Sequence, residues 1–250
     1  MDMSGERVLV TGGARRLGKA VALAFAEAGA DVVVHYHDSE KEARATAAEI
    51  EKRGKRFGVR ATPVGADLSK EGDAAALIDR LSEGNLLPSV LINSASVYGS
   101  NTFAGVQRGD LERDAAITAY GPLELSRRFA ELAGSGSIVN ILDARMVDYD
   151  SQHLSYHLAK RTLFTLTRIL AVELAPAIRV NGVAPGIILP PDDTPEKQLE
   201  KYRSATLLQT TGGTEDITRT VLFLVSSPFI TGDVIFVDGG RHLRGRMYGE

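Results

Sequence analysis

Residues 7–36 constrain the fold of this chain more than any other stretch. An apolar run, R-V-L-V at 7–10, is followed at once by the glycine-rich segment T-G-G-A-R-R-L-G and then by an apolar-periodic segment reaching Ala28. Gly29 ends that segment, and D-V-V-V-H-Y at 31–36 reads as a second buried strand. Strand, glycine-rich turn, helix and strand within about 30 residues make a βαβ unit. Gly12 and Gly18 permit a tight turn and a close backbone approach to a ligand. The helix after the turn presents unpaired N–H groups and a positive dipole end, which suits a pyrophosphate.

The alternation continues to the end of the chain. Further strands fit 60–64, 90–93, 137–141, 179–183 and 234–237, and helices fit 40–53, 72–83, 110–132, 154–174 and 214–224. This pattern predicts an α/β fold: a doubly wound, Rossmann-like parallel sheet with helices on both faces. No Pro/Gly-rich linker divides the 250 residues, so a single domain spanning 1–250 is expected. The segment 186–203, G-I-I-L-P-P-D-D-T-P-E-K-Q-L-E-K-Y-R, breaks the alternation after a strand end, where such sheets bind ligands. It reads as a flap over a substrate or as an inert surface insertion.

Composition narrows the function. A net charge of −3 gives no electrostatic case for nucleic acid or an anionic membrane as partner. The absence of cysteine excludes disulfides and thiolate metal sites. No apolar stretch approaches the roughly 20 residues of a membrane span, and a soluble, cytoplasmic protein is the expectation.

Residues 143–160, D-A-R-M-V-D-Y-D-S-Q-H-L-S-Y-H-L-A-K, place Tyr156 and Lys160 four apart at the head of a helical pattern. Such residues share one helical face. A neighbouring ammonium favours phenolate and is expected to lower the tyrosine pKa, which would suit Tyr156 to act as a general acid. His153 and His157 have the same spacing, but Leu154 is not the glutamate of an H-E-x-x-H site, and no metal is expected.

The motifs T-G-x-x-x-R-x-G, N93-S-A95, Y156-x-x-x-K160, P185-G186 and D238-G-G stand together in the order and spacing of the short-chain dehydrogenase/reductase family, which the chain resembles over almost its whole length. Three departures resemble its pteridine reductase and dihydromonapterin reductase branch: Arg16 at the middle glycine of the turn, Asp143 where a serine is usual, and H-Y-H-D-S after strand two with the tail D-G-G-R-H-L-R. Thr118 replaces the usual asparagine of the helix-four proton relay, which puts that relay in doubt.

The resemblance implies an NADPH-dependent reductase that takes a dihydropterin to its tetrahydro form, working on a small molecule as a homo-oligomer. The alternatives are a carbonyl reductase of diketones or 3-oxoacyl thioesters, and a non-catalytic NADP(H)-binding sensor or scaffold. Asp143, Tyr156 and Lys160 would be the catalytic set. Gly12, Arg15, Arg16, Leu17 and Gly18 would hold the pyrophosphate turn. Tyr36 stands where NAD-specific members carry an acid, and Arg15, Arg16, His37 and Ser39 would meet a 2′-phosphate, with Asp38 opposing it. Asp67 and Leu68 would contact adenine. Asn93, Ala95, Lys160, Pro185 and Gly186 would line the ribose and nicotinamide end. Arg16, Ser96 and Tyr98 would touch the substrate, Tyr98 by stacking on its ring. Burial should raise the Asp143 pKa and Lys160 oppose that rise, coupling the three catalytic groups. The tail residues Arg241, His242, Arg244 and Arg246 read as a solubilising end or as a substrate contact.

Overall fold

The computed structural model describes residues 2–148, 151–190 and 202–244. Seven strands form one all-parallel sheet: β1 Arg7–Val10, β2 Asp31–Tyr36, β3 Ala61–Gly65, β4 Val90–Asn93, β5 Gly136–Ile141, β6 Ile178–Pro185 and β7 Val234–Val237. Their order is β3-β2-β1-β4-β5-β6-β7. This is the doubly wound arrangement, with the winding direction reversing between β1 and β4.

The two-residue period of the strands divides the core. Val8 and Val10 of β1 and Val32 and Val34 of β2 pack under α1 (Arg16–Glu27), α2 (Glu40–Arg53) and α7 (Thr214–Ser226). Leu9 and Val33 point the other way, into a core with α3 (Asp73–Glu83), α5 (Gly121–Ala133) and α6 (Leu154–Glu173). Both faces of the central strands are buried, which is why they read as continuous Val/Leu/Ile runs.

One expected element is two. The helix anticipated over 110–132 comprises α4 (Arg108–Ala115), a π turn (Ala116–Tyr120) and then α5. Pro122 explains the break, because it has no N–H to close the i→i−4 bond onto Thr118 and the wider turn absorbs the loss. The remaining elements lie within about two residues of their expected ends, β6 being longer and reaching Pro185. The anticipated flap, 186–203, falls largely outside the described residues. Its described start packs Ile188 and Leu189 onto the α1 side of the core. No helix among the described residues is long and apolar enough to cross a membrane.

Candidate active site

A cleft of about 520 Å³ opens above the carboxyl ends of the strands. Its walls come from the turn after β1, the ends of β2 and β3, residues 94–98 after β4, Leu142 and Asp143 after β5, and residues after β6. This is the topological switch point, where open parallel sheets take ligands.

The turn after β1 is shaped by close approach. A Cβ on Gly18 would stand 2.2 Å from the Gly12 carbonyl oxygen, and Gly12 itself has a φ of +63°. Arg16 has a φ of 50°, a left-handed value costly for a side chain with a Cβ, which accounts for the glycine usual there. Its guanidinium donates to the Pro190 carbonyl at 2.6 Å, tying the turn to the chain leaving β6. Arg15 at the N-cap gives α1 no side-chain cap, so the helix-start amides remain available to an anion. Thr11 Oγ1 accepts from the amides of Ser94 and Ala95 at 2.9 and 3.0 Å, fixing the β1 and β4 ends together.

Past β2 and β3, His37 pairs with Asp38 at 3.1 Å and with Asp67 at 3.6 Å. Asp38, expected to repel a phosphate, is thus partnered by the histidine beside it. Asp67 accepts from the hydroxyl and amide of Ser69, and these bonds, the hydroxyl first, hold its carboxyl below the usual range. Ser39 and Leu68 also line the cleft, as do Leu17, Ala95, Pro185 and Gly186. Asn93 does not. Its buried amide donates to Asn140 Oδ1 at 2.8 Å, its register partner on β5, and Asn140 donates to Thr167 Oγ1 at 2.9 Å. This polar ladder fastens α6 to the sheet.

α6 carries Tyr156 and Lys160 on its buried face. The Tyr156 hydroxyl donates to Asp143 Oδ2 at 2.6 Å, while Asp143 Oδ1 accepts from the Arg145 amide at 2.7 Å and caps the short turn Ala144–Val147. Lys160 Nζ donates to the Ile141 carbonyl at 2.7 Å. Burial lowers the Lys160 pKa to about 8, against the pull of Asp143. For Tyr156 the expected lowering is overturned: burial first, then the Asp143 charge and hydrogen bond, push the phenol well above its ordinary value. The Lys160 ammonium lies 5.8 Å from the centre of the Tyr156 ring and gives one of its three N–H groups to the Ile141 carbonyl. The arrangement sets a protonated phenol beside a carboxylate that accepts its hydrogen bond, and both groups line the cleft.

Residues 94–98 line this site, and the chain just beyond them is pinned at Asn101 by a network that no sequence motif announced. Buried Asp114 of α4 accepts from Ser155 Oγ at 2.5 Å and pairs with Arg113 at 3.0 Å. Ser155 Oγ accepts from Asn101 Nδ2 at 2.6 Å, and the Ser155 amide donates to Asn101 Oδ1 at 3.1 Å. Tyr98, 55% exposed, lies edge-on to Tyr156 at 4.8 Å. One face of its ring stacks on His153 at 4.1 Å, so a substrate could stack only on the other. His157 packs against the Tyr156 ring at 5.8 Å. Ser96 Oγ lies 3.3 Å from Thr118 Oγ1, which is buried inside the π turn. In the tail, His242 stacks on Phe236 at 4.1 Å and bonds Asp238, and residues 241–244 do not line the cleft. Arg246 lies outside the described residues.

A family model described as enoyl-(acyl carrier protein) reductase matches residues 12–242. The chain belongs to this short-chain dehydrogenase/reductase family and is an oxidoreductase. Pteridine reductase 1 of Leishmania tarentolae is 34% identical over 279 residues, covering 94% of this chain and 96% of that protein. The structure of FolM alternative dihydrofolate reductase 1 from Brucella canis, complexed with NADP, matches with a TM-score of 0.88 at 34% identity, covering 98% of this chain and 97% of that one. The (2S)-[(R)-hydroxy(phenyl)methyl]succinyl-CoA dehydrogenase subunit BbsD of Thauera aromatica is 32% identical, covering 97% of this chain and 99% of that one.

Proposed function

We propose that this protein is an NADPH-dependent reductase of a pterin, taking a dihydropterin to its tetrahydro form. The observation that carries the reading is the Asp143 carboxylate hydrogen-bonded to Tyr156. A hydroxyl suffices to hold a ketone oxygen, whereas a pterin presents ring nitrogens and an amino group, and a carboxyl can accept from an N–H or, protonated, donate to a ring nitrogen. Two proteins alike over most of this chain are named for such chemistry, a pteridine reductase and an alternative dihydrofolate reductase. NADPH is favoured by the NADP complex of the Brucella canis protein and by the absence of an acid at Tyr36.

The cleft suits a dinucleotide because its turn leaves no room for a Cβ at Gly18 and its α1 amides have no side-chain cap. When bound, the nicotinamide supplies hydride. The turn from Gly12 to Gly18 holds the pyrophosphate, and Arg15, Arg16, His37 and Ser39 hold the 2′-phosphate. Lys160, largely charged at neutral pH given its pKa of about 8, holds ribose hydroxyls. Tyr156 gives its proton to the substrate, and Asp143 orients the phenol and bonds the ring edge. Ser96 meets another polar edge, and the Tyr98 face turned away from His153 stacks on the ring.

The test is NADPH oxidation by the purified protein with dihydropterins, dihydrofolate, diketones and 3-oxoacyl thioesters. Dihydropterin should show the highest kcat/KM. A higher value for a diketone or thioester makes this a carbonyl reductase, and tight NADPH binding without turnover makes it a sensor.

A further inference from the structure

Of the two histidines in the H-Y-H run, His37 is exposed and His35 is 2% exposed. The His35 ring is gripped from both sides. Its Nδ1 accepts from the Gly12 amide at 3.1 Å, and its Nε2 lies 3.1 Å from the Ala66 carbonyl oxygen just beyond β3. An amide N–H requires an acceptor and a carbonyl requires a donor. Both bonds therefore exist together in one form only, the neutral ring with its proton on Nε2. The His35 carbonyl also accepts from the Gly13 amide at 3.0 Å. A single residue thus takes the amides of both glycines that open the phosphate turn.

We propose that His35 is a positioning residue for the dinucleotide, a neutral imidazole that fixes the phosphate turn and releases it on protonation. This rests on the reading of the cleft as an NADPH site. A protonated ring would carry N–H at both nitrogens, and the Nδ1 proton would face the Gly12 N–H, donor against donor. The Gly12 carbonyl lies against Gly18 so closely that no Cβ fits between them. Movement at Gly12 is therefore passed to the start of α1, whose amides have no side-chain cap. His37 on the same strand end and Arg80 of α3 disfavour a charged ring, whereas Asp73 of α3 and the Ala66 bond favour it. Arg15 and Arg16 of the turn and Asp67 beyond β3 line the same cleft. Burial outweighs the favourable contacts and lowers the His35 pKa to about 4.

Two variants and one spectrum test this. His35→Asn keeps a non-titrating acceptor for Gly12, and His35→Leu fills space without one. NADPH binding is read from the cofactor's fluorescence. His35→Leu should weaken NADPH roughly tenfold or more, as expected when a half-buried amide loses its acceptor, with the loss falling on KM for NADPH more than on kcat. His35→Asn should recover most of that loss. Wild type and His35→Asn should bind in parallel down to about pH 5, after which wild type weakens faster as the pH nears its ring pKa of about 4. Nitrogen-15 spectra of the wild type should show the His35 proton on Nε2 at neutral pH. The proposal is overturned if His35→Leu binds as wild type, if His35→Asn binds no better than His35→Leu, or if the ring is charged or carries its proton on Nδ1. Should His35→Leu not fold, the asparagine variant and the spectrum decide alone. A wild type that binds no NADPH overturns the functional reading as well; failure confined to the variants or the spectrum overturns this inference only.

Discussion

On the β1–β3 side of the cleft the chain is positioned mainly by main-chain contacts: Gly12 against Gly18, the Gly13 amide on the His35 carbonyl, the Ala66 amide on the Tyr36 carbonyl. On the β4–β6 side it is positioned by side chains reaching between elements: Asp114 to Ser155, Ser155 to Asn101, Tyr156 to Asp143. Main-chain contacts depend little on residue type once a few glycines are in place. Side-chain contacts depend on every residue involved. The first side is therefore suited to a ligand part that stays constant, and the second can be retuned to a new substrate by single changes.

That division can be broken most sharply at Asp143. Asp143→Ser should lower kcat/KM for dihydropterin about a hundredfold or more, the range of a lost acid–base group, with NADPH affinity near wild type. Asp143→Asn should behave alike. Unchanged dihydropterin reduction by the serine variant would remove the distinction between the two sides.

A comparable loss should appear with alkali. Lys160 loses its charge as the pH rises through about 8, so kcat/KM should fall on that limb roughly tenfold per pH unit. Lys160→Arg keeps the charge and should move the limb upward, whatever its absolute rate. A limb that stays in place would assign it to another group.

Ser155→Ala removes the hydroxyl that joins Asp114 to Asn101. Leaving a buried acceptor short of a donor costs roughly 1–3 kcal/mol, and the substrate KM should rise about tenfold. Equal weakening of NADPH in a titration would show the two sides to be one unit. Smallest is Tyr98→Ala, which should raise the substrate KM only several-fold, because offset stacking contributes about 0.5–1.5 kcal/mol beyond area burial. An unaltered KM would remove Tyr98 from the substrate contact.

The same contrast governs how much the amino-acid sequence disclosed. The βαβ unit at 7–36 and the later strands were legible because burial on both faces leaves continuous apolar runs between glycine turns. Tyr156 and Lys160 were legible because helical spacing places them side by side. That spacing did not reveal that Lys160 would bond the Ile141 carbonyl while Asp143 held the phenol. Nor did the N-S-A motif show that the Asn93 side chain belongs to a cross-strand pair instead of the cleft wall. The Asp114–Ser155–Asn101 network was hidden for a simpler reason. Asp114 sits in E-R-D-A, which reads as a solvated helix face, while Ser155 lies 41 residues from Asp114 and 54 from Asn101.

Pro122 was a visible warning in the helix expected over 110–132, and the π turn beside it matters beyond its hydrogen bonds. An α-helix advances about 100° per residue, so an extra residue in one wide turn resets the rotational phase of α5 relative to α4. On α4 Asp114 aims at α6, and on α5 Leu125 and Phe129 aim at the sheet. Deleting one residue from Ala116–Tyr120 would rotate one of those faces by about 100° relative to the other. The chain would then satisfy the substrate-loop anchor or the core beneath it, but not both. Residue count, and not only residue identity, is thus under constraint in this short span.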